Sequence, residues 1–437
     1  MHRRIPFVAG AAAATLTTVL ATVLAAAPGA FAAGPDPHGG STQRVEYFTE
    51  PGGHPHHTTV PAAPRTPVQA LRPWVKGDGT VTSVVDNGPV GAKLDVVFVG
   101  DGYTATEQEA FHAAVRAKWA KMSAVEPYAS NRGLFNVWAV DAVSSDSGVS
   151  GDPVQGVVKN TALGSRFFCD GVERLLCVDT AKVESYAAKA PAADLVVVLS
   201  HSAKYGGAGY NDVVSKVGYD GIATASSDHD KSDQVAVHET GHSLGKLADE
   251  YQYDEYGTYT GDEPRDVNVS TFESGAMNDR RQKWYRWLGQ TSPDGGTVGS
   301  FEGGGYYPKG LFRPTENSIM RSLGREFNLP GREAMVAGFY RHARVLSSDS
   351  GPDGKVSRWE RVVVRPAAAR VDLRWYVDGR EVVQARGHTD VLPRQMGVPA
   401  DGRPHTLTAR ATDTTDAVRD PELRKRLTTT LSWRIAG

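Results

Sequence analysis

Five residues, His238-Glu239-Thr240-Gly241-His242, restrict this chain more than any other stretch of it. On a helix, two histidines four apart project from the same face one turn apart, so both imidazoles can grip one Zn²⁺. The glutamate beside the first then stands where it can take a proton from water on that ion. A fold carrying these residues must offer a helix with one face turned into a cleft. A salt-bridged surface helix is the plain alternative, and the residues that follow argue against it.

Two histidines do not complete a catalytic zinc site, which needs a third protein ligand and an open position for water. Asp249 and Glu250 are the nearby candidates. On a continuous helix Asp249 would share the histidine face but lie roughly 10 Å beyond His242, at 1.5 Å per residue. That is too far for a shared ion, so the chain is expected to leave the helix and turn back. Gly245 is assigned to the turn, because it reaches positive φ without steric cost. Helix, glycine turn and returning ligand resemble the metzincin class of zinc peptidases. There the third ligand stands three residues after the glycine, a position held here by Ala248, with the acid one residue later. Asp249 is preferred as the third ligand because it needs the smaller shift, with Glu250 as the alternative. The stretch Arg313-Pro314-Thr315-Glu316-Asn317-Ser318-Ile319-Met320-Arg321 is similar to the methionine turn of that class, which makes Met320 the apolar floor under the imidazoles.

The chain has 437 residues and a formal net charge of −2, enough for two or three domains with a sizeable core. Near-neutral charge gives no electrostatic case for a nucleic-acid partner. Met1-His2-Arg3-Arg4, an apolar run to about Ala27 and the small residues Ala30-Phe31-Ala32 read as a signal peptide over 1–32, followed by an exported chain without membrane insertion. Export suits the two cysteines, Cys169 and Cys177. Their spacing is not a usual zinc spacing, and a disulfide around a short loop is expected.

Residues 33–90 are rich in Pro, Gly, Thr and His up to about Thr66 and are read as a flexible segment, with a pro-segment role open. The cluster His54-Pro55-His56-His57 is taken as a solvated linker. Ordered structure is expected from a strand-like stretch over Trp74–Val85. Residues 91–346 alternate buried-strand runs, such as Leu94–Val99 and Asp194–Ser200, with helical stretches; this is an α/β (α+β) pattern with a mixed sheet and an active-site helix. Ser232 or Asp233 is the expected N-cap of that helix. Tyr205-Gly206-Gly207-Ala208-Gly209 follows the third strand, either as a plain turn or as an edge that pairs with a bound peptide. Residues 347–437 show short period-2 strands and the turn Asp378-Gly379, the pattern of a small all-β sandwich domain.

The blocks Val99-Gly100-Asp101-Gly102-Tyr103, Thr161-Ala162-Leu163-Gly164-Ser165, Tyr205-Gly206-Gly207, His238 to Tyr251 and Arg313 to Arg321 resemble the IgA-peptidase family of secreted bacterial zinc metallopeptidases. The resemblance runs from about residue 90 to the end of the chain. It implies a zincin-like, metzincin-like zinc endopeptidase, with one catalytic Zn²⁺ on His238, His242 and an acid, Glu239 as general base, and protein or peptide substrates. Cleavage of immunoglobulin A is not implied. Many metzincins place a tyrosine after the methionine turn, where this chain has Arg321; Tyr306, Tyr307 and Arg313 are the substitutes on offer. The acidic tract Asp249–Asp262 leaves a structural Ca²⁺ open, without EF-hand spacing to support it. A monomer is expected. The competing function is a catalytically inactive cell-surface or glycan-binding protein on a metallopeptidase scaffold.

Overall fold

The structure, a computed structural model, describes residues 42–51, 53, 55–62, 75–350 and 354–436. It is mixed α/β, with several sheets and few helices. The signal segment expected over 1–32, and Trp74, lie outside the described residues. No described helix is long and apolar enough to cross a membrane.

The chain opens on a hairpin, β1 (Thr42–Phe48) and β2 (Pro55–Pro61), then β3 (Val81–Val85), β4 (Leu94–Asp101), helix α1 (Gln108–Met122) and β5 (Phe135–Val140). Helix α2 (Thr180–Ala187), β6 (Leu195–Ser200), β7 (Gly207–Tyr210), β8 (Ile222–Ser226) and helix α3 (Ser232–Ser243) follow. These eight strands form one sheet in the order β2-β1-β7-β8-β6-β4-β5-β3. The inner four, β8, β6, β4 and β5, run parallel, and β7 and β3 flank them antiparallel. β4, β6 and β8 are buried along their whole length, which accounts for apolar runs such as Val96–Val99 and Leu195–Leu199.

Successive residues of β4 feed opposite faces. Leu94, Val96 and Phe98 pack with Phe111 and Val115 of α1 and Val237 of α3, while Val97 and Val99 pack with Val183 and Tyr186 of α2. Two blocks far apart in sequence meet at Asp101, whose carboxylate accepts hydrogen bonds from Thr161 Oγ1, Leu163 N and Ser165 N, each 2.8 Å away. Cys169 and Cys177 form the expected disulfide.

Two sequence expectations change here. Within 33–90, read as a flexible segment, β1 and β2 are a paired hairpin whose register runs from Thr42↔Pro61 to Phe48↔Pro55. From Val45 to Phe48 both faces of β1 are buried, Val45 and Tyr47 on one and Glu46 and Phe48 on the other, and the polar Glu46 together with the surrounding Pro and Gly masks the strand in the sequence. The N-cap of α3 is Lys231, without a side-chain cap. Ser232 lies inside the helix and donates to Gly206 O, and Asp233 pairs with Lys118 of α1.

Beyond α3 come α4 (Ser274–Arg280), the short pair β9 (Thr291–Ser292) and β10 (Gly296–Thr297), the hairpin β11 (Phe301–Gly304) and β12 (Tyr307–Arg313), and α5 (Leu329–His342). The last stretch forms two small sheets. One has the order β13 (Leu346–Ser348), β15 (Val362–Pro366), β18 (Asp390–Val391). The other has the order β14 (Lys355–Ser357), β20 (Thr428–Ala436), β19 (His405–Asp413), β16 (Val371–Val377), β17 (Arg380–Glu381), with α6 (Pro421–Arg426) ahead of β20. Asp378 and Gly379 turn β16 into β17 with φ of 48° and 78°, as a two-residue hairpin demands. One apolar cluster runs from β4 through Phe339 and Tyr340 of α5 to Trp375 and Trp433 of these sheets.

The end of α5 is tied to the central sheet by charge. His342 Nδ1 is 2.9 Å from Asp194 Oδ1 and its Nε2 is 3.0 Å from Asp220 Oδ2, which also takes Arg341 at 2.9 Å. Burial works against charge on His342, but the two aspartates raise it to about 9. A raised folded-state value gives stability that is complete below the unfolded value near 6.5 and is lost as pH climbs through about 9. The wild-type chain should therefore lose on the order of 2 kcal/mol between pH 6.5 and 9 relative to His342→Gln. Urea melts of both forms across that range check it; parallel curves would refute it.

Candidate metal centre

Helix α3 turns His238 and His242 to one face, and each ring is pinned from behind. His238 Nδ1 lies 2.9 Å from Ile319 O, and His242 Nδ1 lies 2.6 Å from Leu247 O. A carbonyl only accepts, so both Nδ1 atoms donate and each Nε2 is left for a proton or a metal. The two Nε2 atoms are 3.1 Å apart. Asp249 Oδ1 is 3.4 Å from His238 Nε2 and 3.3 Å from His242 Nε2. Ligands about 2.0–2.1 Å from a tetrahedral zinc stand roughly 3.3 Å from each other, so these three atoms suit one ion.

The return of Asp249 depends on a turn that differs from the one expected. Lys246, not Gly245, takes the left-handed conformation, with φ of 51°. Gly245 serves by its lack of a side chain, since a Cβ there would lie 2.6 Å from Gly241 O and 2.9 Å from Leu247 Cγ and Met335 Sδ. Leu247 N then bonds back to Gly241 O at 3.2 Å, which closes the turn and aims Leu247 O at the His242 ring.

Glu250 sits outside the cluster. Its carboxylate is buried and accepts from Asn268 Nδ2 at 3.0 Å, Ser318 Oγ at 2.8 Å and Asn328 Nδ2 at 3.0 Å. Glu250 N bonds to Met320 O at 2.8 Å. The residue after Asp249 thus clamps the methionine turn under the helix. Met320 is buried there, so close that a Cβ on Gly241 would lie 2.5 Å from its sulfur.

Glu239 is fully buried beside the cluster. Its Oε2 accepts from Asn211 Nδ2 at 2.9 Å, and its Oε1 has no hydrogen-bond partner. Room for this carboxylate comes from Gly209 of β7, where any Cβ would overlap it. Burial, with the charge of Glu46 added, pushes the Glu239 carboxyl up to about 8.

Glu46 is the participant that sequence reasoning missed. It reaches in from β1, with Oε1 3.1 Å from His238 Nε2 and Oε2 3.1 Å from His242 Nε2. One ligand atom from each of Glu46, His238, His242 and Asp249 lies within 4.8 Å of the other three. Among the described residues no other group of three or more acids, histidines or cysteines is placed to hold a metal, and the acidic tract 254–262 contributes nothing to this one. Burial opposes charge on His238, yet Glu46 and Asp249 raise it to about 10. Carboxylates that hold protons on two buried imidazoles also favour the exchange of those protons for a divalent cation.

Aromatic rings rim the cluster. Tyr306 OH donates to Asp249 Oδ2 at 2.7 Å and lies 3.2 Å from His57 Nε2, which in turn is 3.5 Å from Glu46 Oε2. His57, read as part of a linker, therefore stands at the edge of the site. Of the three substitutes for the missing tyrosine, only Tyr306 is here. Arg313 is spent on Glu302 O, Gly303 O and Glu316 O, and Tyr307 packs against Tyr256 and Tyr259.

No curated protein sequence matches the chain. The family described as IgA Peptidase M64 does, over residues 82–295 and 290–339. The match takes in His238, Glu239, His242, Asp249 and Met320 and spans more than half of the 437 residues, so the chain belongs to the IgA peptidase M64 family.

Proposed function

We propose that the protein is a secreted zinc-dependent endopeptidase of zincin-like, metzincin-like architecture. The observation that carries this reading is the convergence of His238 Nε2, His242 Nε2 and Asp249 Oδ1, with the buried Glu239 carboxylate beside them. His238, His242 and Asp249 hold the ion. Bound Zn²⁺ would lower the pKa of a coordinated water toward roughly 7 and polarise the scissile carbonyl.

The rest of the chemistry belongs to side chains. With a cation held beside it to favour its ionised form, Glu239 would take the proton of the attacking water and pass it to the leaving amine. Asn211 fixes Oε2, and the unpartnered Oε1 is the atom that moves the proton. Tyr306 holds Asp249 in place by donating its one hydroxyl proton to Oδ2, and to serve a developing oxyanion it would have to turn that proton away from Asp249. A cleaved signal peptide over 1–32 is supported by the disulfide, which suits an oxidising compartment. The two small sheets after α5 are read as a β-sandwich appended to the peptidase.

The test is elemental analysis of the purified chain together with mass spectrometry of a peptide library exposed to it. One zinc per chain is expected, with cleavage lost on 1,10-phenanthroline and restored by added zinc. Cleavage that survives removal of the metal, or a loaded chain that cuts nothing, would sink the reading.

A further inference from the structure

In the central sheet β7 would be an edge strand if β1 were absent. β1 runs antiparallel to it and meets it at one residue pair, Glu46↔Gly209. That pair lies over the reacting groups, because Gly209 is the position that makes room for Glu239. An extended peptide laid on β7 in this direction would bring its own backbone past the same point. β1 therefore lies where a substrate strand would lie.

Side chains on one face of β1 complete the likeness. Glu46 reaches the histidines, and two residues on, Phe48 meets His238 edge-on, with ring centroids 5.0 Å apart. Phe48 is buried with Tyr205, Val235 and Leu323, which together form a pocket for an apolar side chain. Arg44 lies over the Tyr306 ring, 5.2 Å from its centroid. The hairpin is paired with itself along its length but shares a single backbone pair with β7, so side chains hold it there: Glu46 and Phe48 on one face, and Val45, Tyr47 and Val60 in the apolar cluster on the other. The family match starts at residue 82, beyond the hairpin, so Glu46 is the one member of the metal group outside it.

We propose that the β1–β2 hairpin is a tethered inhibitory segment, with β1 bound on β7 as an extended peptide would be and the Glu46 carboxylate in the metal position that water and substrate need. This rests on the zinc peptidase reading. The chain then works only in the fraction of molecules whose hairpin is undocked, and peptides whose large apolar side chain falls in the Phe48 pocket are the class that displaces it.

The test uses the full chain loaded with zinc, with acetohydroxamate as a metal-directed probe, and compares wild type with Glu46→Ala and Glu46→Gln. Apparent affinity is the intrinsic value divided by the open fraction, so Glu46→Ala should bind the probe at least about tenfold tighter. Glu46→Gln keeps size and hydrogen bonding and should shift the same way, with circular dichroism unchanged in both variants. In wild type, saturating probe should raise amide hydrogen exchange within 42–61. Equal probe affinity in wild type and both variants, with unchanged exchange in 42–61, overturns the proposal and leaves the peptidase reading intact. A wild-type chain that takes up no zinc overturns the peptidase reading itself.

Discussion

Changing Glu239 to Gln is expected to leave zinc in place and lower kcat/KM for a cleaved peptide by about 10²–10⁴-fold. Gln has the same shape as Glu, so the cavity opened by Gly209 still accommodates it, and its amide oxygen can still accept from Asn211. What it lacks is a carboxylate oxygen able to take a proton. The ion should stay, because Glu239 is not among the residues whose ligand atoms converge. Parallel zinc analysis and steady-state kinetics decide the matter. Near wild-type turnover with zinc retained would remove Glu239 from the role of base, and loss of zinc would mean that it holds the metal.

Gly209→Ala should have an effect of similar size from a residue with no chemistry of its own. Its Cβ would overlap the Glu239 carboxylate, which, as the end of a flexible side chain, is the partner that gives way. The backbone of β7 is held by four residue pairs with β8, and α3 anchors the backbone of Glu239. The carboxylate must therefore swing off Asn211 and away from the metal face. Displacement of a reacting group by about 1 Å commonly costs around 10²-fold in rate, and overpacking typically costs about 1–3 kcal/mol of stability. A chain with Ala at this position should keep zinc, melt lower and cleave about a hundredfold more slowly or worse. Unchanged kinetics would show that Glu239 does not act from the position it occupies here.

His238, Glu239 and His242 were legible in the sequence because a helix repeats every 3.6 residues, and that period alone puts both imidazoles on one face. The return of Asp249 to the two imidazoles was legible by a distance argument, since a straight helix would carry it too far from them. The turn was located correctly but explained by the wrong residue. Gly245 looked like the carrier of positive φ, whereas its task is close packing against Met335 and Leu247, and Lys246 bears the left-handed backbone. A pattern of residue types tells where a chain can bend. It does not tell which neighbours crowd the bend.

Glu46 was not legible as a member of the site. It stands 192 residues before His238, in a stretch whose Pro and Gly content suggests a linker. Only strand pairing with β7 brings it in, and such pairing depends on an edge that no local pattern announces. Asn211 is similar, an ordinary polar residue just after β7 that gains its meaning from the carboxylate it meets. The Gly-rich stretch after β6 was read as either a turn or a peptide-binding edge, and it forms a strand that already has a neighbour.

The apolar cluster that passes from β4 through α5 to Trp375 and Trp433 has a consequence for how the protein comes apart. Because one apolar cluster holds residues of β4, α3, α5 and the C-terminal sheets together, the last ninety or so residues are expected to unfold together with helix α3. Loss of bulk at Trp433 would lower the population of native molecules without altering the rate constant of each survivor. On the proposed reading, the tail of the chain would set how many working copies exist, and the helix near its middle how fast each one works.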